Sequence, residues 1–388
     1  MPIATLGILL LVASIVAVAA SRLRLPYSVG LVAAGFGLAY LPFKIELQLT
    51  PDLIFNVLLP PLIFEASVQI PWKQFRRDLP VSLTLAVFGV AISAAIVAGG
   101  VHALLGWGWA GAILFGILIG ATDPVSVIAA FKEIKVAPRL ALLVESESLL
   151  NDGTAAVGFV IALAVASGTA MGPVAIGGLA LWTIIGGVLI GVAVASAMLL
   201  LAVRTDDHLV EITVTVLIAY GSFLIAEATH ASGILAALAA GLVVGKSDTG
   251  TTVSRAPMLA FWEYAAFLAN SIVFILIGLD VSQHASSIFA PAAWVVIVLV
   301  VVGRAAAVYV LCAPFRHSRL AVDLRHQHVL IWGGLRGALA LALVLSLPAS
   351  LEGRETIILA AFAVVTFSIF VQGLTMPRLI RRLGLIRD

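Results

Sequence analysis

The sequence predicts an all-α, polytopic membrane protein of about thirteen transmembrane helices, arranged as two inverted six-helix repeats. Three observations predict it: an apolar composition, the number of long apolar segments, and two segments that are interrupted at matching positions. Hydrophobic residues make up 62% of the 388 residues and charged residues only 11%, whereas soluble domains are about 45–50% apolar and about 25% charged. These figures exclude a soluble domain, a disordered chain, a nucleic-acid-binding module and a disulfide scaffold.

Thirteen segments are candidates for spans, since a helix of about 20 mostly apolar residues crosses the hydrocarbon core. They are 3–20, 26–42, 52–69, 80–104, 109–131, 139–167, 173–202, 209–228, 232–246, 257–280, 290–313, 327–347 and 355–376. The first resembles a cleavable signal peptide at Ala17-Val18-Ala19, but it lacks a preceding basic region and arginines follow it. We therefore expect a retained helix.

Basic residues alternate between the two sides of this topology. Eighteen of the 22 lysines and arginines lie in the odd-numbered loops and the C-terminal tail, and the other side has only Lys44 and Arg354. One missed or extra helix would destroy the alternation. By the positive-inside rule, we expect a multi-pass protein of the cell (inner) membrane with its N-terminus outside and its C-terminus cytoplasmic.

Six ionisable residues fall inside the spans and carry a formal net charge of −2: Glu65, Asp123, Glu147, Asp152, Arg304 and Arg336. Such side chains are costly in a bilayer and therefore mark candidate functional sites, unless they form structural ion pairs or lie nearer the interface. Surplus carboxylates near the membrane centre suit a cation or a proton.

The sixth span has the densest polar cluster. Spacings of three and four residues place Glu147, Ser148, Asn151 and Asp152 on one helix face. Their carboxylate, amide and hydroxyl oxygens suit a hard monovalent cation. Asp152 lies 13 residues after Arg139, about 20 Å along a helix and so near the midplane. We expect the neighbouring Glu145 to point elsewhere, at the interface.

The fifth and twelfth spans each have an anomaly. Thr122-Asp123-Pro124 predicts a break and a new helix start, or else a simple proline kink. Gly333-Gly334-Leu335-Arg336-Gly337 weakens the twelfth span, where Arg336 would compensate an exposed helix C-terminus. Because these spans are seven apart, corresponding helices run in opposite directions. Broken helices at matching positions of inverted repeats indicate a transporter site.

Two further residues each have more than one possible role. Arg304 needs a partner, and we expect a structural ion pair with Glu147, the alternatives being Asp123 or snorkelling. Pairing with Glu147 would leave Asp152 free to titrate. Glu65, after Pro60-Pro61, either faces an inner aqueous funnel or only stabilises the interface.

These elements together resemble the monovalent cation/proton antiporters, in the NhaP and sodium/proton exchanger branch. The matching segments occur in family order: Pro60-Pro61-Leu62-Ile63-Phe64-Glu65, Ala121-Thr122-Asp123-Pro124, Glu147-Ser148-Leu149-Leu150-Asn151-Asp152-Gly153, Phe274-Ile275-Leu276-Ile277-Gly278-Leu279, Arg304 and Gly333-Gly334-Leu335-Arg336-Gly337.

The resemblance implies an NhaA-like fold with crossed broken helices in a homodimer. Within the single membrane domain 1–388, it implies a dimerisation domain (1–70 and 209–281), a core ion-transport domain (80–167 and 290–376) and a linker helix (173–202). Carried over by position, Asp152 binds the cation and the proton, with Ser148, Thr122 and Glu65 near the ion. Asn151, Asp123 and Pro124 would shape the site. Regulation by a long cytoplasmic tail is not expected.

The expected function is secondary antiport of sodium or lithium for protons, by competition for Asp152. Asn151 before Asp152 resembles the electroneutral branch. We expect no catalytic residue, and no cofactor besides the transported Na⁺ and H⁺. The expected partners are the lipid bilayer and a second subunit, and no nucleic acid is expected. Potassium/proton antiport and an uncoupled cation channel are alternatives. An intramembrane aspartic protease using Asp123 and Asp152 lacks the GxGD pattern.

Overall fold

A computed structural model describes residues 3–23, 25–40, 47–134, 136–168, 172–202, 207–246, 255–284 and 290–386. In these residues the regular structure is helical, and the one β-type contact is an isolated bridge between Val136 and Ile386. Several loop charges used to predict the topology lie outside the described residues: Arg24, Lys44, Lys135, Arg204 and Arg387.

The helices follow one another with short connections. In chain order they are α1 (Ile3–Leu23), α2 (Tyr27–Leu38), α3 (Pro51–Gln69), α4 (Trp72–Leu105), α5 (Trp109–Leu118), α6 (Val125–Ile134), α7 (Pro138–Ala166), α8 (Pro173–Leu201), α9 (His208–Ala228), α10 (Gly233–Lys246), α11 (Arg255–Gln283), α12 (Pro291–Cys312), α13 (Leu324–Trp332), α14 (Ala338–Leu345) and α15 (Arg354–Arg382). Within α3, α8 and α15, short π-helical segments cover Ile54–Leu58, Trp182–Gly186 and Ser368–Gly373.

All thirteen predicted spans have a counterpart in this order within the described residues. The fifth consists of α5 and α6, and the twelfth of α13 and α14, so both are interrupted as predicted. Two boundaries differ from the prediction by more than four residues. Helix α4 begins at Trp72, with Pro80 inside it, and α15 continues to Arg382, past Pro377. In both helices the extra turns carry exposed arginines, so the helix extends beyond its apolar stretch.

The protein core lies around the two interrupted spans. In α14, every residue from Ala338 to Val344 is buried, as expected for a helix that is apolar on all sides and surrounded by others. By contrast, α1, α8 and α9 expose large apolar residues such as Leu11, Leu189 and Leu217. In a chain of this composition, such faces meet lipid or another membrane protein.

Helices α8 and α10 approach each other closely at a small residue. A Cβ atom added at Gly191 would lie 2.9 Å from the carbonyl carbon of Ala236, whereas one added at Gly177, on the same helix, would meet nothing within 4 Å. Small residues permit this kind of close approach between membrane helices. The position of α8 therefore depends on Gly191.

Gly191→Leu is expected to destabilise the protein by about 1–3 kcal/mol, because the new side chain would push α8 away from α10. Thermal unfolding in detergent measures the change, with Gly177→Leu as the matched control. Equal unfolding temperatures for the two variants would contradict the packing described here.

Candidate cation-binding site

The two helix breaks cross each other at the centre of the structure. Helix α5 ends at Leu118 and α6 begins at Val125, while α13 ends at Trp332 and α14 begins at Ala338. The backbone N–H of Asp123 donates to the carbonyl oxygen of Leu335, at 2.7 Å. A Cβ atom at Gly337 would collide with the Asp123 side chain, so the crossing requires a glycine there.

The Asp123 side chain begins the second half of the fifth span. Its Oδ1 atom accepts a hydrogen bond from the backbone N–H of Val125, at 2.9 Å, as a capping residue does at a helix N-terminus. Pro124 lacks an N–H, which costs nothing at this position because the first helical donors have no partner inside the helix. The break is therefore a true helix restart and not a kink.

Arg336 binds the end of the first half of the fifth span. Its Nη1 atom donates to the carbonyl oxygens of Gly120, at 3.0 Å, and Ala121, at 3.3 Å. These carbonyls follow the C-terminus of α5, where the helix dipole places partial negative charge. The Arg336 guanidinium of the second repeat thus caps the broken helix of the first repeat.

Thr122 connects the break to the polar face of α7. Its backbone N–H donates to Asp152 Oδ1 at 3.1 Å. The Ser148 hydroxyl donates to the Thr122 carbonyl oxygen at 2.6 Å and lies 3.0 Å from Thr122 Oγ1. The side-chain amide of Asn151 donates to Thr122 Oγ1 at 2.9 Å and to Glu147 Oε1 at 3.1 Å. A carboxylate oxygen, hydroxyl oxygens and a side-chain amide nitrogen therefore converge around Thr122.

Arg304 and Glu147 form a bidentate ion pair. Nη1 of Arg304 lies 2.7 Å from Oε1 of Glu147, and Nη2 lies 2.8 Å from Oε2. Arg304 also donates to the Leu330 carbonyl oxygen through Nε, at 3.2 Å, and Nη2, at 3.0 Å. Both side chains are buried. Such a pair is held by its geometry and its additional hydrogen bonds, and removing one partner leaves a buried charge.

A cavity of about 560 Å³ reaches this cluster. Helices α2, α3 and α11 form one wall, and α6, α7, α14 and the break after α5 form the other. Asp152, Thr122 and Glu65 all line it. Gln69 donates its side-chain amide to Glu65, four residues earlier in α3. The cavity thus gives Asp152 and the nearby oxygens a path toward one face of the protein.

For three residues that line the cavity, the sequence did not predict a place in the site. Glu145 was expected to point away from the site, but it lines the cavity together with Leu149 and Asp152. Seven residues make nearly two full helical turns, so Glu145 and Asp152 share a face. Glu263 and Asn270, both on α11, line the opposite wall. These two polar residues are seven apart in a mostly apolar span, and that spacing could have indicated that they share a helix face.

The sequence also did not predict the ion pairs that a buried carboxylate makes near the start of α7. Asp78 is 1% exposed and lies 2.8 Å from Arg77 and 3.1 Å from Arg139. Arg139 additionally donates to the carbonyl oxygens of Leu320 and Ala321, at 3.1 and 3.0 Å. This cluster joins α4 and α7 to the segment before α13.

Around the helix crossing, within the described residues, four charged side chains have structural roles, and Asp152 has none of these roles. Glu147 is paired with Arg304, Asp123 caps α6, and Arg336 caps α5. Asp152 makes no ion pair in this part of the chain and lines the cavity. The arrangement can hold a small hard cation or a proton on Asp152, with hydroxyl oxygens nearby.

Comparison with known proteins agrees with this geometry. Residues 7–382 match the sequence profile of the family described as sodium/hydrogen exchanger, transmembrane. The chain is 37% identical over 372 residues to the Na⁺/H⁺ antiporter ApNhaP of Aphanothece halophytica, covering 94% of this chain and 71% of that protein. It is 33% identical over 401 residues to the Na⁺/H⁺ antiporter NhaH of Halobacillus aidingensis, covering 97% of each.

The fold matches that of a solved structure. The sodium proton antiporter MjNhaP1 from Methanocaldococcus jannaschii, solved at pH 8, superposes with a TM-score of 0.78 over 98% of both chains, at 19% identity. The predicted fold class is therefore confirmed: an all-α, NhaA-like antiporter fold with two interrupted spans. On the profile match and the identities above, this multi-pass membrane protein belongs to the sodium/hydrogen exchanger family of transporters.

Proposed function

We propose that this protein is a secondary active antiporter that exchanges sodium or lithium for protons across the membrane. The relatives at 33–37% identity are named Na⁺/H⁺ antiporters, and the site has the chemistry that such exchange requires. The observation that carries the proposal is the position of Asp152. Its carboxylate lines the cavity, while Glu147 and Arg304 bind each other and Asp123 and Arg336 cap helix ends.

Exchange follows from competition for this one carboxylate. Asp152 binds either a proton or a desolvated monovalent cation, with oxygens of Ser148, Thr122 and Glu65 completing the cation's coordination. Asn151, Asp123 and Pro124 hold that geometry. An unloaded carboxylate carries a charge that is costly to move through an apolar barrier. Only the loaded forms cross, so transport of the two ions is coupled. One proton replaced by one monovalent cation makes the exchange electroneutral.

We propose that the two walls of the cavity belong to the two domains of the family. Residues 1–70 and 209–281 would form the dimerisation domain of a homodimer, and residues 80–167 and 290–376 the moving core, with 173–202 as the linker helix. The wall of α2, α3 and α11 belongs to the first group, and that of α6, α7 and α14 to the second. Sliding of one wall past the other would alternate access to Asp152.

We further propose that the cavity faces the cytoplasm of the cell (inner) membrane. It lies along the end of α3 and the starts of α7 and α11, which adjoin the loops of the basic side. By the positive-inside rule that side is cytoplasmic and the N-terminus is outside. The structure would then be the inward-facing state.

The test of function is cation-driven proton movement in proteoliposomes of the purified chain. With an internal acid load reported by a pH-sensitive dye, external sodium or lithium should restore dye fluorescence, and potassium should not. A response to potassium alone would replace the proposal with potassium/proton exchange. A cation current without proton coupling would show a channel.

Thr122→Val is expected to raise the KM for sodium about tenfold, as loss of a supporting contact at an ion site does. The change keeps the side-chain shape and removes the hydroxyl that contacts Ser148 and Asn151. Thr154→Val is the matched control, since the Thr154 hydroxyl bonds within α7, to the Leu150 carbonyl. An unchanged KM in Thr122→Val would contradict a role for this hydroxyl in the site.

A further inference from the structure

A second, much smaller cavity lies behind the helix crossing. It measures about 10 Å³ and lies between α12, α15 and the break after α13. Four polar side chains line it, namely those of Arg304, Arg336, Ser368 and Gln372. All four are at least nine-tenths buried. Its size corresponds to about one water molecule.

One of these side chains presents a buried polar atom that has no hydrogen-bond partner in the described part of the chain. The Nε atom of Arg336 is buried and unpartnered in the described part of the chain. The side chains of Ser368 and Gln372 line the same cavity as Arg336. An unsatisfied buried donor or acceptor costs about 1–3 kcal/mol, and more for a charged group. An unpartnered guanidinium donor that shares a water-sized cavity with a hydroxyl and an amide indicates a small polar ligand between them.

We propose that one ordered water molecule occupies this cavity and bridges Arg336 to α15. The water accepts the Nε–H of Arg336, donates to the Gln372 Oε1 atom and exchanges a hydrogen bond with the Ser368 hydroxyl. Three bonds are the usual number for a buried water. An anion is excluded by size, and the charge of Arg304 is already satisfied by Glu147.

The local structure of α15 places both of its residues at the cavity. Ser368 and Gln372 lie four apart in the π-helical segment Ser368–Gly373, so they share one face. π-Helical turns inside longer helices are frequent at functional sites. Here the turn directs two polar side chains toward the guanidinium that caps α5.

The consequence is that Gln372 is a positioning residue for the cation site. Arg336 holds the Gly120 and Ala121 carbonyls on its Nη1 side, and the bridging water fixes its Nε side. The α5 terminus leads directly to Thr122, which donates to Asp152. Loosening the guanidinium therefore disturbs cation binding without touching the cation. This functional part rests on the antiport proposed above.

The direct test is a structure of the full chain at a resolution that shows ordered water. We expect one density peak within hydrogen-bond distance of Arg336 Nε, Ser368 Oγ and the Gln372 amide. A dry cavity, or a direct bond from Arg336 Nε to Gln372, would overturn the water site. This test does not depend on transport, so it decides the inference even if the chain exchanges no sodium.

The functional test compares two variants of similar shape. Gln372→Met removes the polar atoms and is expected to raise the KM for sodium about tenfold with kcat little changed. Gln372→Glu keeps an acceptor for the water and should retain the wild-type KM. Val371→Ala, at an exposed neighbouring position, controls for changes in α15. If the Met and Glu variants share one KM, Gln372 acts by packing alone and the positioning role is wrong.

Discussion

Asp152→Asn is expected to abolish sodium-driven proton movement. The asparagine side chain has nearly the same shape and can still accept the Thr122 N–H bond that Asp152 accepts at 3.1 Å. It cannot bind a proton and release it again, and it carries no charge for a cation. The measurement is dye dequenching in proteoliposomes driven by sodium, with the same protein amount for variant and wild type.

The matched control is Glu355→Gln, which neutralises an exposed carboxylate in the first turn of α15, outside the site. It should exchange at the wild-type rate. Both variants must elute as the wild type does on size exclusion, which separates loss of transport from loss of fold. Transport by Asp152→Asn at the wild-type rate would show that another group carries the ions.

Glu147→Gln is expected to have the largest effect on stability, a loss of about 3–5 kcal/mol. The substitution leaves the buried guanidinium of Arg304, 6% exposed, without its bidentate carboxylate. The glutamine amide oxygen and the Leu330 carbonyl would remain as neutral acceptors, and neither balances the charge. Thermal unfolding in detergent, followed by size exclusion, measures the loss.

A double-mutant cycle assigns this loss to the pair itself. Arg304→Gln alone should also destabilise strongly, since it leaves Glu147 unpaired. The double variant should lose much less than the sum of the two single losses, because no buried charge remains without a partner. Additive losses would show that the two residues stabilise the fold independently.

Much of the architecture could be predicted because a bilayer constrains the chain so strongly. Apolar length locates each span, and local chemistry locates the interruptions: Pro124 in the fifth span and three glycines around Arg336 in the twelfth. Helical spacing also grouped Ser148 and Asp152 on one face. The two boundary errors lie at prolines: the predicted spans began at Pro80 and ended before Pro377, whereas both residues lie inside longer helices.

Contacts between distant parts of the chain could not be predicted in the same way. Arg336 caps carbonyls 215 and 216 residues earlier in the sequence, and Arg139 binds Asp78 on another helix. The role of Glu145 depends on the shape of a cavity between two groups of helices. Local spacing says which residues share a face, but not what that face meets.

The central claim is that sodium and protons compete for Asp152, and proton release on sodium binding tests it most directly. Purified protein in weakly buffered detergent solution, at a pH where the site is protonated, is mixed with sodium chloride while a dye records pH. The account predicts release of about one proton per chain, by linkage of the two ligands, and none from Asp152→Asn. Sodium binding without proton release, or equal release from the variant, would contradict it.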